Sequence, residues 1–363
     1  MKKITTFFCS LFVSLILLAG NNPKETFTTG NPDIQSINAL SFGPEGILFI
    51  GDSKSANIYA IDTKDLISNP SKVEYNVKTL DKKIADLLGT TSENISIEDL
   101  AINPISKNAY LAVTHTSGSF SLLKIDPSGG IVPLDLSDIS YSNQTLTDVI
   151  EADAKDRRGR SQRKWAISDL TYNNGKVYVT GLSNQEFGST FRAMPFPFTG
   201  KQQMSSLEIY HAAHGQYETH APIKTFTTAE LNGSEYIIAS YTCTPLVVFP
   251  ASDLEPGKHI KGRTVAELGN RNTPLDMIVI NQDNKSYLLL ANSSRGMMKI
   301  DLSDVANFNE SLTTPVDREK LTAGVAFEAL PQKDVVQMDK LGENSIVMIQ
   351  KQADGSMSLW TSN

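Results

Sequence analysis

Three of the chain's five histidines, His211, His214 and His220, fall within ten positions in the stretch EIYHAAHGQYETHAPI (208–223), which also carries Glu218. Imidazole nitrogen is the commonest protein ligand for metals, and a His-x2-His pair on a turn can set two rings on one side. A third imidazole and the thiol of Cys243 would complete a four-ligand N and S set suited to zinc or copper, with Glu218 as a further ligand or base. The spacing His-x2-His-x5-His matches no standard zinc signature, and the His-Glu-x-x-His helix of zinc proteases is absent. A polar loop whose imidazoles hydrogen-bond within it accounts for the same residues.

These groups can act together only if the elements around them converge, and the elements repeat. INALSFGPEGILFIGDSKSANIYAID (37–62) shares its form with EDLAINPISKNAYLAVTHTSGSFSLLKID (98–126), SDLTYNNGKVYVTGLSNQEFGSTFRAMPF (168–196), TFTTAELNGSEYIIASYTCTPLVVFP (225–250) and LDMIVINQDNKSYLLLANSSRGMMKID (275–301). A sixth copy, VQMDKLGENSIVMIQKQADGSMSLW (336–360), stops after its third run. The runs are short, rich in Val, Ile, Tyr and Phe, and bounded by Gly, Asn, Asp or Pro, which predicts strands joined by turns. Further runs, KVEYNVKTL, GIVPLDL, SLEIY and GRTVAEL, supply fourth strands.

Four strands per copy, six times over, predicts an all-β fold, a six-bladed β-propeller, or seven blades if residues 303–335 hold a degenerate one. ETFTTG (25–30) is expected to add the missing fourth strand of the final copy, an N-terminal strand closing the last blade and removing an exposed edge.

In such a fold the innermost strands line a central channel. Aligned on their second strands, the copies begin those inner strands with Asn38, Asp99, Asp169, Thr225, Asp276 and Gln337, all polar. Three carboxylates with amide and hydroxyl oxygens around an axis could hold a hard cation such as calcium. Equally, these side chains could hydrogen-bond backbone amides where each blade begins, as turn residues do.

The loops between second and third strands share that face and bring Asn184, Cys243, Asn292 and Arg295 to it, while ELGNRNTPLD (267–276) aims Arg271 and Asn272 there. Arg271, Asn272, Arg295 and Asn184 are therefore the expected ligand contacts. The connection EADAKDRRGRSQRKW (151–165) adds Arg157, Arg158, Arg160, Arg163 and Lys164, a candidate for binding carboxylates or phosphates, or else a solvated loop balanced by Glu151, Asp153 and Asp156. MPFPF (194–198) is expected to pack over a blade edge.

On these repeats, the chain resembles the secreted bacterial propellers of the NHL, YVTN and gluconolactonase-like kind. The resemblance covers everything after the N-terminal segment and implies a divalent metal in the channel of the gluconolactonase-like members. The Gly-His and Trp-Asp signature of WD40 repeats is missing.

Lys2 and Lys3 followed by an uncharged run from Ile4 to Gly20 give residues 1–20 the layout of a signal peptide, leaving 21–363 as a single propeller domain exported to a periplasmic or extracellular compartment. That run is short of the ~20 apolar residues of a spanning helix, so no stable membrane span is expected after cleavage. Cleavage would move the formal net charge from −7 to −9 by removing two lysines, which argues against nucleic-acid partners. It would also leave Cys243 alone, so a packed core and no internal disulfide must hold the fold.

No Gly-rich phosphate loop and no Gly-x-Ser-x-Gly elbow occurs. The sequence thus predicts an exported propeller that binds a small ligand or protein partner through its loop face, with or without a metal. The alternative is a metal-dependent hydrolase or lactonase using the carboxylate-lined channel, with His115 or His214 as base.

Overall fold

In each blade the second strand lies between inner and outer neighbours and under the adjoining blades, so both of its faces are buried. Ile47–Asp52 is buried throughout, and Ala109–His115, Lys176–Leu182, Ser234–Tyr241 and Lys285–Asn292 are buried over most of their length. This is why they read as continuous apolar runs and not as an alternation. Two-residue turns tie the inner strands to them: Asn174-Gly175, Asn232-Gly233 and Asp283-Asn284 all have positive φ at both positions, the geometry that matches a tight hairpin to strand twist.

The computed structural model describes residues 22–69, 72–317 and 321–362, so the expected signal peptide lies outside the described residues. Six antiparallel sheets form the six blades of a β-propeller. Their inner strands are Ala39–Phe42, Ile95–Ile102, Asp169–Asn173, Ile223–Leu231, Pro274–Gln282 and Val335–Lys340, here blades 1 to 6 in chain order. The described residues of 303–335 build no seventh blade. They carry a helix, Leu302–Asn307, and the edge strands Ala323–Gly324 and Glu328–Ala329, which pair onto blades 4 and 5.

The closing strand is not the one expected. Thr28–Gly30 pairs with Ile139–Thr145 at the outer edge of blade 1, whereas the fourth strand of blade 6 is Asn76–Val77, paired with Met357–Ser362. Packing explains the exchange. Tyr75, Val77 and Leu80 are buried apolar residues that fill the seam between blades 6 and 2, while Thr28 and Thr29 are exposed and bring no apolar side chain.

The blades do not follow one another around the ring in chain order. The apolar clusters join blades 6 and 2, 2 and 1, 1 and 3, 3 and 4, 4 and 5, and 5 and 6. Blades 1 and 2 are thus exchanged. After three strands of blade 1 the chain steps back to the edge of blade 6, builds blade 2, returns with Ile139–Thr145 to finish blade 1, and proceeds to blade 3. Phe49 of blade 1 stacks on Tyr172 of blade 3 with ring centroids 5.4 Å apart, and the MPFPF rings Phe196 and Phe198 pack edge-on against Phe49, as the sequence predicts for a blade-edge cover.

Candidate functional site

Asn38, Asp99, Asp169, Thr225, Asp276 and Gln337 do line one cavity, about 350 Å³ in volume, at one end of the channel. A second cavity of about 350 Å³ opens at the other end, and Asp99, Asp169 and Asp276 line both. The three carboxylates therefore form the waist between the two.

Their oxygens are engaged by backbone. Asp99 accepts from Leu40 N (2.6 Å) and Leu100 N (2.8 Å), Asp169 from Phe226 N (2.9 Å) and Leu170 N (2.8 Å), and Asp276 from Met338 N (2.6 Å) and Met277 N (2.7 Å). Asp339, which the sequence reading did not single out, does the same with Ile102 N and Lys340 N. One oxygen of each holds its own strand and the other reaches the next blade, so these residues staple blades 2 to 1, 3 to 4, 5 to 6 and 6 to 2. These are the backbone bonds that turn residues make where each blade begins. Burial raises the carboxyl of Asp169 to about 7 and that of Asp339 to about 6. Asp99 is pushed well up by burial and by the charges of Asp276 and Asp169.

The mouth of the first cavity is shaped by β-bulges. In four blades the inner-strand register slips between Ile97 and Asp99, Ile223 and Thr225, Pro274 and Asp276, and Val335 and Gln337. The skipped residues, Glu98, Lys224, Leu275 and Val336, all line the cavity. A bulge frees one residue from the ladder and re-aims it. For Lys224 the result is an ammonium 3.5 Å from the centroid of the Trp165 ring, with Lys164 4.8 Å from the same ring. Burial, with the charges of Lys164 and Arg160 beside it, lowers Lys224 to about 8. The adjoining cavity, about 450 Å³, is lined by Arg160, Gln162, Lys164, Trp165 and Lys224 among others.

Of the arginines in that connection, Arg160 pairs with Asp156, and Arg163 donates to the carbonyls of Ile150 and Lys54. Gly181 lets the segment seat: a Cβ there would stand 2.2 Å from Ala166 O and 2.9 Å from Trp165 O.

The expected ligand contacts are engaged to different degrees. Asn272 is buried, donates to Asn292 Oδ1 at 2.8 Å and accepts from Ser294 N, and Asn184 donates to Glu151. Arg295 bonds Asn270 O, and Arg271 is exposed with its carbonyl accepting from Ser294. Asn38 accepts from Ser36 Oγ and Ser53 N.

The histidine stretch forms a hairpin between blades 3 and 4. Gln203–His211 turns at His211–Gly215 and pairs with Gln216–Glu218. Glu218 accepts from Nδ1 of His211 (3.0 Å) and Nδ1 of His214 (2.6 Å), and the two imidazole centroids lie 3.8 Å apart. Burial works to raise the Glu218 carboxyl, but the two imidazoles outweigh it and hold it at about 2.

Among the described residues, His211, His214 and Glu218 are the one group of three His, Cys, Asp or Glu whose donor atoms all lie within 4.8 Å. His220 and Cys243 are not in it: His220 bonds Thr219 Oγ1, and Cys243, partly buried with positive φ, donates its N–H to Asn272 O. His115 bonds Thr90 and Ser117 instead. Glu267, buried and raised by that burial to about 7, accepts from Ala213 N on the same turn and went unnoticed in the sequence because it sits inside an ordinary outer strand.

No family model matches the chain, and no curated protein does. Solved structures similar to it include a chain in a crystal structure of the mitotic checkpoint complex, at 7% identity and a TM-score of 0.38, covering 100% of this chain and 99% of that one. Another is the crystal structure of Chaetomium thermophilum Raptor, at 13% identity and a TM-score of 0.33, with 91% of this chain and 25% of that one covered.

Proposed function

We propose that this chain is an exported β-propeller binding module of the bacterial NHL and YVTN kind, whose loop face around the channel mouth captures an anionic group. That group is a carboxylate or phosphate presented by a small ligand or by a protein partner. The observation that carries the reading is the placement of Lys224. A bulge turns its ammonium onto Trp165 beside Lys164, at the mouth of a cavity large enough for a small molecule, in a chain with 40 acidic and 33 basic residues. Cations clustered against an aromatic face in a partly desolvated pocket attract a compact anion, and the ring offers a surface for its apolar part.

The export part of the proposal rests on residues 1–20 alone. The hydrolase or lactonase alternative draws on Asp99, Asp169 and Asp276, and calcium would be its metal. It finds less support, because each of those carboxylates already holds two backbone N–H groups. Calorimetric titration of the mature chain with a panel of mono- and dicarboxylates, phosphate monoesters and acidic peptides tests the binding reading. An anion that binds the native chain and loses at least tenfold affinity in Lys224→Gln supports it. Affinity unchanged from the native chain in both Lys224→Gln and Lys164→Gln counts against it.

A further inference from the structure

Two polar atoms beside the histidine hairpin have no hydrogen-bond partner although both are buried: Nε2 of His211, in a side chain 2% exposed, and Oε2 of Glu267, in a residue 1% exposed. Leaving such groups unpaired is costly, so a native structure that keeps two of them beside one turn calls for a reason.

We propose that His211, His214 and Glu218 bind a zinc ion, with Glu267 as the outer partner that holds His211. Three observations carry this. The donor atoms are already close together: His211 Nδ1 lies 3.0 Å from one Glu218 oxygen and His214 Nδ1 2.6 Å from the other, and one donor atom from each of the three residues lies within 4.8 Å of the others, against the about 3.3 Å between two ligands at ~2.0–2.1 Å from a tetrahedral zinc.

The set is also held rigidly. His211 ends a strand, the turn is fixed by His214 N and Gly215 N donating to His211 O, and Glu218 is paired opposite Ile209. Gly215, at φ +68, packs under Pro315, and Ala212 O accepts from Val316 N, so a neighbouring segment backs the turn.

The proton arrangement supplies the third observation. In the metal-free hairpin each imidazole presents Nδ1 to Glu218. Coordination through Nδ1 puts the proton of a neutral imidazole on Nε2, which for His211 creates a buried N–H donor where there is now an unpartnered nitrogen. Glu267 Oε2 is the unpartnered acceptor beside the same turn, and a metal-bound histidine ordinarily gives its second N–H to such a carboxylate. The His214 side chain is 46% exposed and can donate to water. Binding by this route needs no net proton release from neutral imidazoles. Three protein ligands leave the fourth zinc position open on the exposed side, for water or a ligand atom. This site is separate from the channel mouth and does not depend on the reading of Lys224.

The test is zinc and cobalt titration of the tag-free mature chain by calorimetry and visible absorption. His214→Ala and Glu218→Gln are the ligand variants, with His220→Ala and Cys243→Ser as controls and circular dichroism confirming the fold of each. One ion per chain is expected, with cobalt giving ligand-field bands and no thiolate charge-transfer band. Affinity should fall at least tenfold in both ligand variants and hold in both controls. A folded native chain that binds no zinc at micromolar concentration overturns the proposal. So does affinity unchanged in His214→Ala and Glu218→Gln, or lost in Cys243→Ser.

Discussion

The carboxylate of Asp99 accepts the backbone N–H of Leu40 at 2.6 Å, from blade 2 to blade 1. In chain order this bond points backward, whereas the equivalent bonds from Asp169 to Phe226 and Asp276 to Met338 point forward. All three run to the adjacent blade in the same structural manner, because blades 1 and 2 have exchanged places.

The staples make stability depend on pH in an unusual sense. Asp169 and Glu267, each raised to about 7, and Asp339, raised to about 6, keep protons in the folded chain that the unfolded chain releases near its ordinary carboxyl values. The folded state then binds more protons between about pH 4 and 7, so stability falls as pH rises through that window. Glu218, held at about 2, works the other way: its contribution is complete above about pH 4.5 and lost as the pH falls toward 2. Thermal unfolding of the metal-free chain should therefore give its highest Tm near pH 4, with a drop of several degrees between pH 5 and 8.

Asp169→Asn should destabilise by about 1–3 kcal/mol, because one amide N–H of the stapled pair meets an NH₂ and not an oxygen. It should also flatten the fall in Tm between pH 5 and 8. Denaturant unfolding at both pH values reads both effects.

Closure of blade 6 by Asn76–Val77 predicts an asymmetry between two small changes. Val77→Asp places a carboxylate among Leu80, Leu111 and Leu359 and should cost at least about 3 kcal/mol. Deleting residues 22–30 removes the outermost strand of blade 1, with the partly buried Phe27 ring and the Lys24–Asp62 pair, and should cost less. Urea midpoints of the two variants compare them directly. A deletion more damaging than Val77→Asp would contradict the strand assignment.

Gly181→Ala should destabilise by about 1–3 kcal/mol or more, since the new methyl meets backbone oxygens that cannot rotate away. The displaced segment carries Trp165. Anion affinity at the channel mouth should therefore fall together with a change in tryptophan fluorescence.

Much of this fold is legible in the sequence because a strand buried on both faces must be apolar throughout: ILFIG, YVTG and SYLLLAN announce themselves. The polar ring from Asn38 to Gln337 follows from aligning those runs. Ring order is not legible, since the forces that seat blade 2 between blades 6 and 1 are nonlocal packing of Leu100, Ile102 and Leu111 against Val347 and Leu359. A closing strand of two residues also leaves almost no periodic signal. In the candidate sites, His211, His214 and Glu218 were visible by type and spacing. His220 and Cys243 shared the chemistry, but His220 bonds Thr219 and Cys243 lies outside the cluster. Lys224 was hidden because a lone lysine at a strand start looks like any edge charge until the bulge re-aims it.

The excursion of residues 63–138 out of blade 1 and back also sets a schedule for synthesis. The first three strands of blade 1 emerge early, but their outer edge stays open until Ile139–Thr145 has been made, on the order of 4–15 s later at ~5–20 residues per second. Asn76–Val77 waits longer still for Met357–Ser362. Through that interval the nascent chain carries two unpaired strand edges, each able to recruit another chain. Its yield should therefore depend on chaperone supply more than that of a propeller whose blades are completed one after another.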